Sequence, residues 1–482
     1  MEETNQQEMI PDYVYKNRYL ISIIVLIGVF MSVLDGFMVT VALPTITSYF
    51  KVSVSHTQWI ITSYLVVMTA LFIFFGKISE YIGKTKLFMI GWILFTLSSL
   101  LCGLSSGITE LIIFRIVQAT GASMVAGVSG AILFHSFPQN EIGKAMGYFG
   151  ATIAVGSLIG PVLGGLIANY ISWQYIFLIN VPLGIILILG CIKYLKIPEN
   201  TSKRLNIDWI GTITFVLSVS TLLVFCSELA KSMSFTRLLL IYGLIFILST
   251  IIFIFQEKRS ENPLLDLSMF KNIKFSLPLL SLLIFSIAYN IALIMGPFYF
   301  QGVMNYSPSQ VGILFMTVSL SMAIAAPLGG KLYDKYRSKY ASGIPVLISA
   351  AAFILLAYSY WIMNLPLILI SLILWGVGYG LFTSPNTTET LSALPPEKTA
   401  MASSISTTIK SLGGALGTSI ASVFLIMSLN LASYNGEALS ASQLILSNSI
   451  STSMIVAGVL SIIATVIAVL RNVNLLKKYI KR

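Results

Sequence analysis

The chain has 482 residues, of which 56% are hydrophobic and only 10% charged, with a formal net charge of +11. Soluble domains carry about 25% charged residues, so the composition excludes a soluble globular protein and points to a polytopic membrane protein. The basic balance could suggest a nucleic-acid partner, but the placement of the charges, taken up below, argues against one.

The first 18 residues, MEETNQQEMIPDYVYKNR, are polar and lack the short apolar core of a cleaved signal peptide. They read as an N-terminal tail (1–18). Apolar runs then recur at roughly 19–43, 57–76, 87–106, 108–134, 144–169, 174–195, 208–229, 237–256, 275–300, 309–330, 342–361, 365–385, 400–427 and 449–471. Each approaches the ~20 residues needed to span a bilayer as a helix, and none shows the alternation of a membrane strand. About fourteen spans follow, with a basic tail at 472–482. Cys102, Cys191 and Cys226 all fall inside apolar runs and read as buried structural thiols. His56 and His135 are isolated, beside loops, and read as ligands to nothing.

Placing the N-terminus in the cytoplasm puts most Lys and Arg on that side. Lys51, Lys231 and Arg237 fall outside, and Arg115 and Lys410 fall within spans. This is the positive-inside pattern. It accounts for the basic charge without nucleic acid, with the anionic inner leaflet of the bilayer as the neighbour.

A repeat is visible. GKISEYI (76–82) matches GKLYDKY (330–336), and nearly the same separation aligns KAMGYFGATI (144–153) with TAMASSISTT (399–408). Two homologous six-span units, 19–195 and 275–471, with two inserted spans at 208–256, fit this spacing. Repeats of this kind are a transporter signature. Kinase, P-loop and hydrolase motifs are absent, so the chain reads as neither an enzyme nor an ATP-driven pump.

Asp35 is the one acid placed deep in a span. It lies about 12 Å from the outer end of the first span, and Arg115 about 10 Å from the outer end of the fourth. The shared depth lets them interact. Two readings fit: a static ion pair that fixes helix packing, or a protonation site facing a central cavity, as intramembrane acids commonly mark ion pathways. Lys410, about ten residues into its span, either snorkels to phosphate or faces the cavity. Asp35, Trp59, Tyr64, Asn180, Tyr289, Asn290 and Lys410 are candidates for a substrate site: the Asp35 carboxylate can take either a proton or a cationic substrate, and aromatic faces suit lipophilic cations. Gly156, Gly160, Gly164 and Gly165 have the small-residue spacing of close helix packing, and Pro161 removes a backbone donor and should kink its helix.

Several stretches resemble the major facilitator superfamily, specifically its fourteen-span drug:proton antiporter family. LDGFMVTVALP (34–44) is similar to that family's LDxTIVNVALP. GKISEYIGKTK (76–86) resembles GxLADRxGRK, with Glu80 for the usual Asp and Thr85 at a usually basic position. RIVQATGAS (115–123) resembles RxxQGxGAA, with Ala119 for a Gly. GSLIGPVLGG (156–165) matches GxxxGPxxGG at every fixed position, and WQYIFLINVPLG (173–184) is close to WRWIFLINVPIG. SLGGALGTSIA (411–421) follows Lys410, where the family usually has Arg. The resemblance runs from about residue 20 to 470. It implies an all-α fold of two six-helix bundles plus two extra helices that rock about a central site.

The function it implies is export of amphiphilic compounds in exchange for protons, with Asp35 and Arg115 in proton coupling and no cofactor beyond the proton gradient. It also implies a charged latch at Gly76, Glu80, Gly83 and Lys84, and a hinge or seal between the halves at Gly156, Gly160, Pro161, Gly164 and Gly165. The protein is expected in the cell membrane as a monomer with both termini cytoplasmic. The alternatives are an exporter of one metabolite or antibiotic, and a membrane sensor that keeps the fold without transport.

Overall fold

The computed structural model describes residues 11–470 apart from 53, 198, 200–206, 232–236, 307, 337–339 and 432–441. Part of the expected N-terminal tail (1–10) and the basic tail (472–482) therefore lie outside the described residues. Among those described, the chain is helical. In chain order the helices are α1 (Asp12–Phe50), α2 (Val54–Ile82), α3 (Lys84–Gly103), α4 (Ile108–Ser136), α5 (Ile142–Tyr170), α6 (Tyr175–Leu178), α7 (Asn180–Tyr194), α8 (Trp209–Lys231) and α9 (Arg237–Arg259). They continue with α10 (Ile273–Gly302), α11 (Pro308–Tyr336), α12 (Gly343–Trp361), α13 (Leu365–Ser392), α14 (Thr399–Leu431) and α15 (Gln443–Leu470). Among the described residues, fourteen segments are long and apolar enough to cross a membrane, α6 and α7 together forming the sixth. The helices overrun the apolar stretches read from the sequence because their polar ends continue to hydrogen-bond into the loops.

Local chemistry sets several ends. Asn272 and Asn364 cap α10 and α13 by accepting from Lys274 N and Leu367 N. Gly83, between α2 and α3, has φ 96°, a conformation that L side chains resist. Pro161 is carried within α5, which runs unbroken from Ile142 to Tyr170.

The first six spans pack as one bundle and the last six as another. The second bundle's core is aromatic, built on Trp375, Phe353, Tyr299 and Tyr360, with the two tyrosine rings stacked 3.8 Å apart. The first has a cluster around Trp92, Phe88 and Phe95, and another around Met38, Ile60, Trp173 and Phe177. The bundles meet along two seams, α5 against α11 and α2 against α14. On the α5 seam a Cβ at Gly147 would lie 2.7 Å from the Ala326 carbonyl, and one on Gly330 would overlap the Gly143 carbonyl. Beside the α2 seam, where α14 also meets α4, Ser404 Oγ donates to Gly127 O at 3.1 Å. These contacts lie towards the end of the molecule that carries the α2–α3 and α4–α5 loops.

The inserted hairpin straddles the second seam. α8 packs on both α2 and α14, through Trp209 near Phe74 and through Ser419 Oγ donating to Cys226 O at 2.8 Å. α9 rests on α8 through the Phe215–Phe253 pair and the Ser218–Thr250 hydrogen bond. Its other side exposes Leu240, Leu244, Ile247 and Ile251, an apolar face suited to lipid.

Candidate functional site

Asp35 sits in α1 with none of its surface exposed, and Arg115 in α4 is 1% exposed. Arg115 Nη1 donates to Asp35 Oδ2 at 2.6 Å and to Gln118 Oε1 at 2.6 Å. The other carboxylate oxygen, Oδ1, accepts from Asn180 Nδ2 at 2.9 Å and from Gln118 Nε2 at 3.3 Å. Gln118 Nε2 also donates to Ser99 Oγ at 2.7 Å. The guanidinium lies over the Tyr64 ring, 4.0 Å from its centroid, and Arg115 Nε reaches towards the Ile60 carbonyl at 3.5 Å. The carboxylate of α1 thus takes its partners from α4 and α7, and α2 and α3 join the network through Arg115 and Gln118. The buried charges are tolerable because they are paired and hydrogen-bonded.

This placement differs from the expected carboxylate open to a central cavity. In this conformation Asp35 points into the first bundle, because its polar partners lie there and the low dielectric rewards contact with them. Two buried polar atoms at the edge of the network, Asn180 Oδ1 and Tyr64 Oη, have no hydrogen-bond partner. An amide presents a donor one way round and an acceptor the other. Asn180 can therefore donate to an ionised Asp35 or, turned over, accept from a protonated one.

The other predicted lining residues separate into a second group. Tyr289 of α10 lies 4.3 Å from the Tyr379 ring and 5.2 Å from Trp375, both of α13. Lys410 of α14 places its ammonium 5.8 Å from the Tyr379 centroid. Asn290 donates to Ser286 O in its own helix. Trp59 is exposed and belongs to neither group.

Comparison with known proteins fixes the family. Residues 25–418 match the profile of the Major Facilitator Superfamily. The chain belongs to the major facilitator superfamily. It is similar to the "Riboflavin transporter RibZ" of Clostridioides difficile (strain 630), 35% identical over 418 residues that cover 86% of this chain and 90% of the relative. It is also similar to the "Multidrug export protein EmrB" of Escherichia coli (strain K12), 29% identical over 404 residues, covering 83% and 79% of the two chains. Among solved structures, the proton:xylose symporter XylE superposes with a TM-score of 0.62 at 15% identity, over 94% of this chain and 95% of that one. That likeness shows the fold alone. A major facilitator protein of this design is a multi-pass membrane transporter, not an enzyme.

Within the superfamily frame, the motif residues take places that the sequence did not fully anticipate. Gly156, Gly160 and Gly164 press α5 against α1, where a Cβ would lie 3.0 Å from Val33 Cγ1, 2.6 Å from Phe37 Cβ and 2.6 Å from Met38 Cα. Gly165 has only ordinary contact, with Val41. This motif therefore packs the first bundle internally. The close approaches between bundles on α5 come from Gly143, Gly147 and Gly150. Gly76 does face the second bundle, against Ser404.

The residues expected to form a charged latch make other contacts. Glu80 pairs with Lys77 of its own helix at 2.9 Å. Its repeat counterpart, Asp334, accepts from Gly143 N and Lys144 N, both at 2.8 Å, and so binds the α5 N-terminus across the seam. The N-terminus of α3 is held instead by Glu199, which accepts from Lys84 N and Thr85 N at 2.9 and 3.1 Å. Burial raises the Glu199 carboxyl above the ordinary carboxylate range, against those bonds, which favour its ionised form. His135, read as isolated, lies at the junction: its Nε2 is 3.1 Å from Lys84 Nζ and 2.7 Å from Thr399 Oγ1.

Gln118, Ser99, Tyr379, Trp375, Asp334 and Glu199 were not singled out from the sequence. Gln118 was within reach, three residues after Arg115 on the same helix face. Asp334 was marked by the repeat, as the residue aligned with Glu80.

Proposed function

We propose that this transporter exports small amphiphilic molecules in exchange for protons by alternating access, with Asp35 as the proton-carrying group. The observation that carries the reading is the enclosed Asp35–Arg115 pair, whose partners can serve either protonation state of the acid. When Asp35 is ionised, Arg115 and Asn180 hold it within the first bundle. When it takes a proton, the attraction to Arg115 falls, and the α1–α4 contact loosens with it. Proton binding then biases the geometry of the helices that border the central space. No cofactor is required; the proton gradient supplies the energy.

The basic residues of the loops support an orientation with both termini in the cytoplasm, and the bundles then meet on the cytoplasmic side. A monomer is sufficient for this cycle. The multidrug name of EmrB supports a broad substrate range. A second reading, transport of a single flat aromatic metabolite, draws on the name of RibZ and on the Tyr289–Tyr379–Trp375 cluster.

The test is reconstitution into vesicles with an imposed pH gradient and a panel of fluorescent amphiphiles. Substrate movement against its gradient that stops when a protonophore is added is the expected result. Movement indifferent to the protonophore removes antiport and leaves facilitated diffusion.

A further inference from the structure

The charges in the membrane interior do not cancel. Asp35 and Arg115 neutralise one another at 2.6 Å. Lys410 has no carboxylate partner among the described residues. It is half-buried, and its ammonium is turned over an aromatic ring instead of out of the bundle. A cation kept in an apolar setting without a counter-charge is costly, so its position needs a reason that packing does not supply.

The helix wheel shows where it faces. Ser403 and Lys410 are seven residues apart, two turns, and share a side of α14. Ser403 Oγ lies 2.8 Å from where a Cβ on Gly130 of the first bundle would sit. Lys410 therefore looks towards the same partner bundle from about 10 Å farther along, beyond the closed seam. One turn on, a Cβ at Gly414 would lie 3.5 Å from Asn290 Nδ2, which sets that amide beside the same stretch of helix. Tyr379 lies under the ammonium, with Tyr289 against it and the fully buried Trp375 behind.

We propose that Lys410, Tyr379, Tyr289 and Asn290 form the substrate subsite, and that the substrate it takes is a planar aromatic anion, not a lipophilic cation. The ring system stacks on Tyr289, the partly exposed ring of the cluster, with the buried Tyr379 behind it; the anionic group meets Lys410, and Asn290 contributes an amide to the polar edge. The substrate supplies the missing counter-charge, so an organic cation is repelled where an anion is held. This deepens the transport reading and rests on it for the identification of the central path, but binding can be measured without any proton gradient.

The experiment compares fluorescein, a planar anion, with ethidium, a planar cation, by equilibrium dialysis against the purified full-length protein in detergent. Lys410→Met and Lys410→Arg are tested beside wild type, each checked for monodispersity. Wild type should bind fluorescein at least tenfold more tightly than ethidium. Lys410→Met should lose at least tenfold for fluorescein while gaining for ethidium, and Lys410→Arg should stay within a few-fold of wild type. Preference for ethidium, no fluorescein binding, or equal fluorescein binding by Lys410→Met overturns the proposal. If Lys410→Met does not fold, the wild-type preference and Lys410→Arg still decide it. Proton-driven ethidium export with no fluorescein binding would sink this subsite assignment and leave antiport standing.

Discussion

Replacing Asp35 with Asn separates the structural role of the buried pair from the coupling role proposed for it. The asparagine keeps the shape and an acceptor for Arg115 but removes the charge. Arg115, 1% exposed, is then a cation in the bundle core held only by neutral groups: the introduced amide oxygen, Gln118, the Ile60 carbonyl and the Tyr64 face. Breaking a buried pair by removing one partner costs about 3–5 kcal/mol. At ~1.4 kcal/mol per factor of ten, that is a loss of two orders of magnitude or more in the folded-to-unfolded ratio. Adding Arg115→Gln removes the orphaned charge and its desolvation cost, and the two amides can hydrogen-bond to each other and to Gln118 and Asn180. Thermal melting in detergent should therefore show Asp35→Asn well below wild type and Asp35→Asn/Arg115→Gln near it. In vesicles with a pH gradient, both variants should lack proton-driven export. A purely structural pair makes the opposite forecast for the double variant, that activity returns with stability. Uphill, protonophore-sensitive export by Asp35→Asn would refute the assignment of Asp35 altogether.

The seam and the cap at α3 yield three further expectations. Asp334→Ala loses two charge-assisted bonds to the α5 N-terminus, together worth roughly 3 kcal/mol, so spin labels on Asn140 and Glu397 should shift to longer distances as the loop end opens. Gly147→Val places side-chain atoms against the Ala326 backbone and should open the same distance and abolish transport, whereas Gly36→Ala, whose Cβ would meet nothing within 4 Å, should leave melting temperature and label distance unchanged. Glu199 has a carboxyl raised by burial, so its contribution is present below the ordinary carboxylate value and is lost as pH rises through the raised one. Glu199→Gln should melt higher than wild type at pH 8 and converge with it towards pH 4.

The span count, the two-bundle design and the Asp35–Arg115 pair were legible because they rest on features a chain carries locally: apolar length, repeat spacing and helix rise. The direction in which Asp35 faces was not legible. It depends on Asn180 and Ser99, far away in sequence, arriving at the same depth as Gln118. The glycine motif of α5 misled for a related reason. Small residues declare that something approaches closely, and α1 at Phe37 and Met38 turned out to be that neighbour. Glu80 illustrates a third limit. A carboxylate near a helix end has several possible partners, and Lys77, three residues away on the same face, reaches it first, which leaves its aligned counterpart Asp334 to bind the opposite bundle.

That asymmetry bears on how the transporter can open. A closure between two bundles has to be strong enough to exclude leakage and weak enough for ligand binding to reverse, since a ligand shifts an equilibrium only by its difference in affinity for the two states. The seam meets both demands by dividing its materials. Gly143, Gly147 and Gly330 bring backbones together across a large, tight but individually weak contact. The strong directional element on the α5 side is the Asp334 carboxylate at a helix N-terminus. The α14 side offers only neutral groups to α4: Ser404 Oγ at Gly127 O, and the Thr399 hydroxyl at His135. A few kcal/mol concentrated on one carboxylate is a quantity that the differential binding of a single substrate can offset. The inserted helix α8 lies over the opposite seam, the one between α2 and α14. It covers that seam, while the Asp334 carboxylate ties the α5–α11 seam.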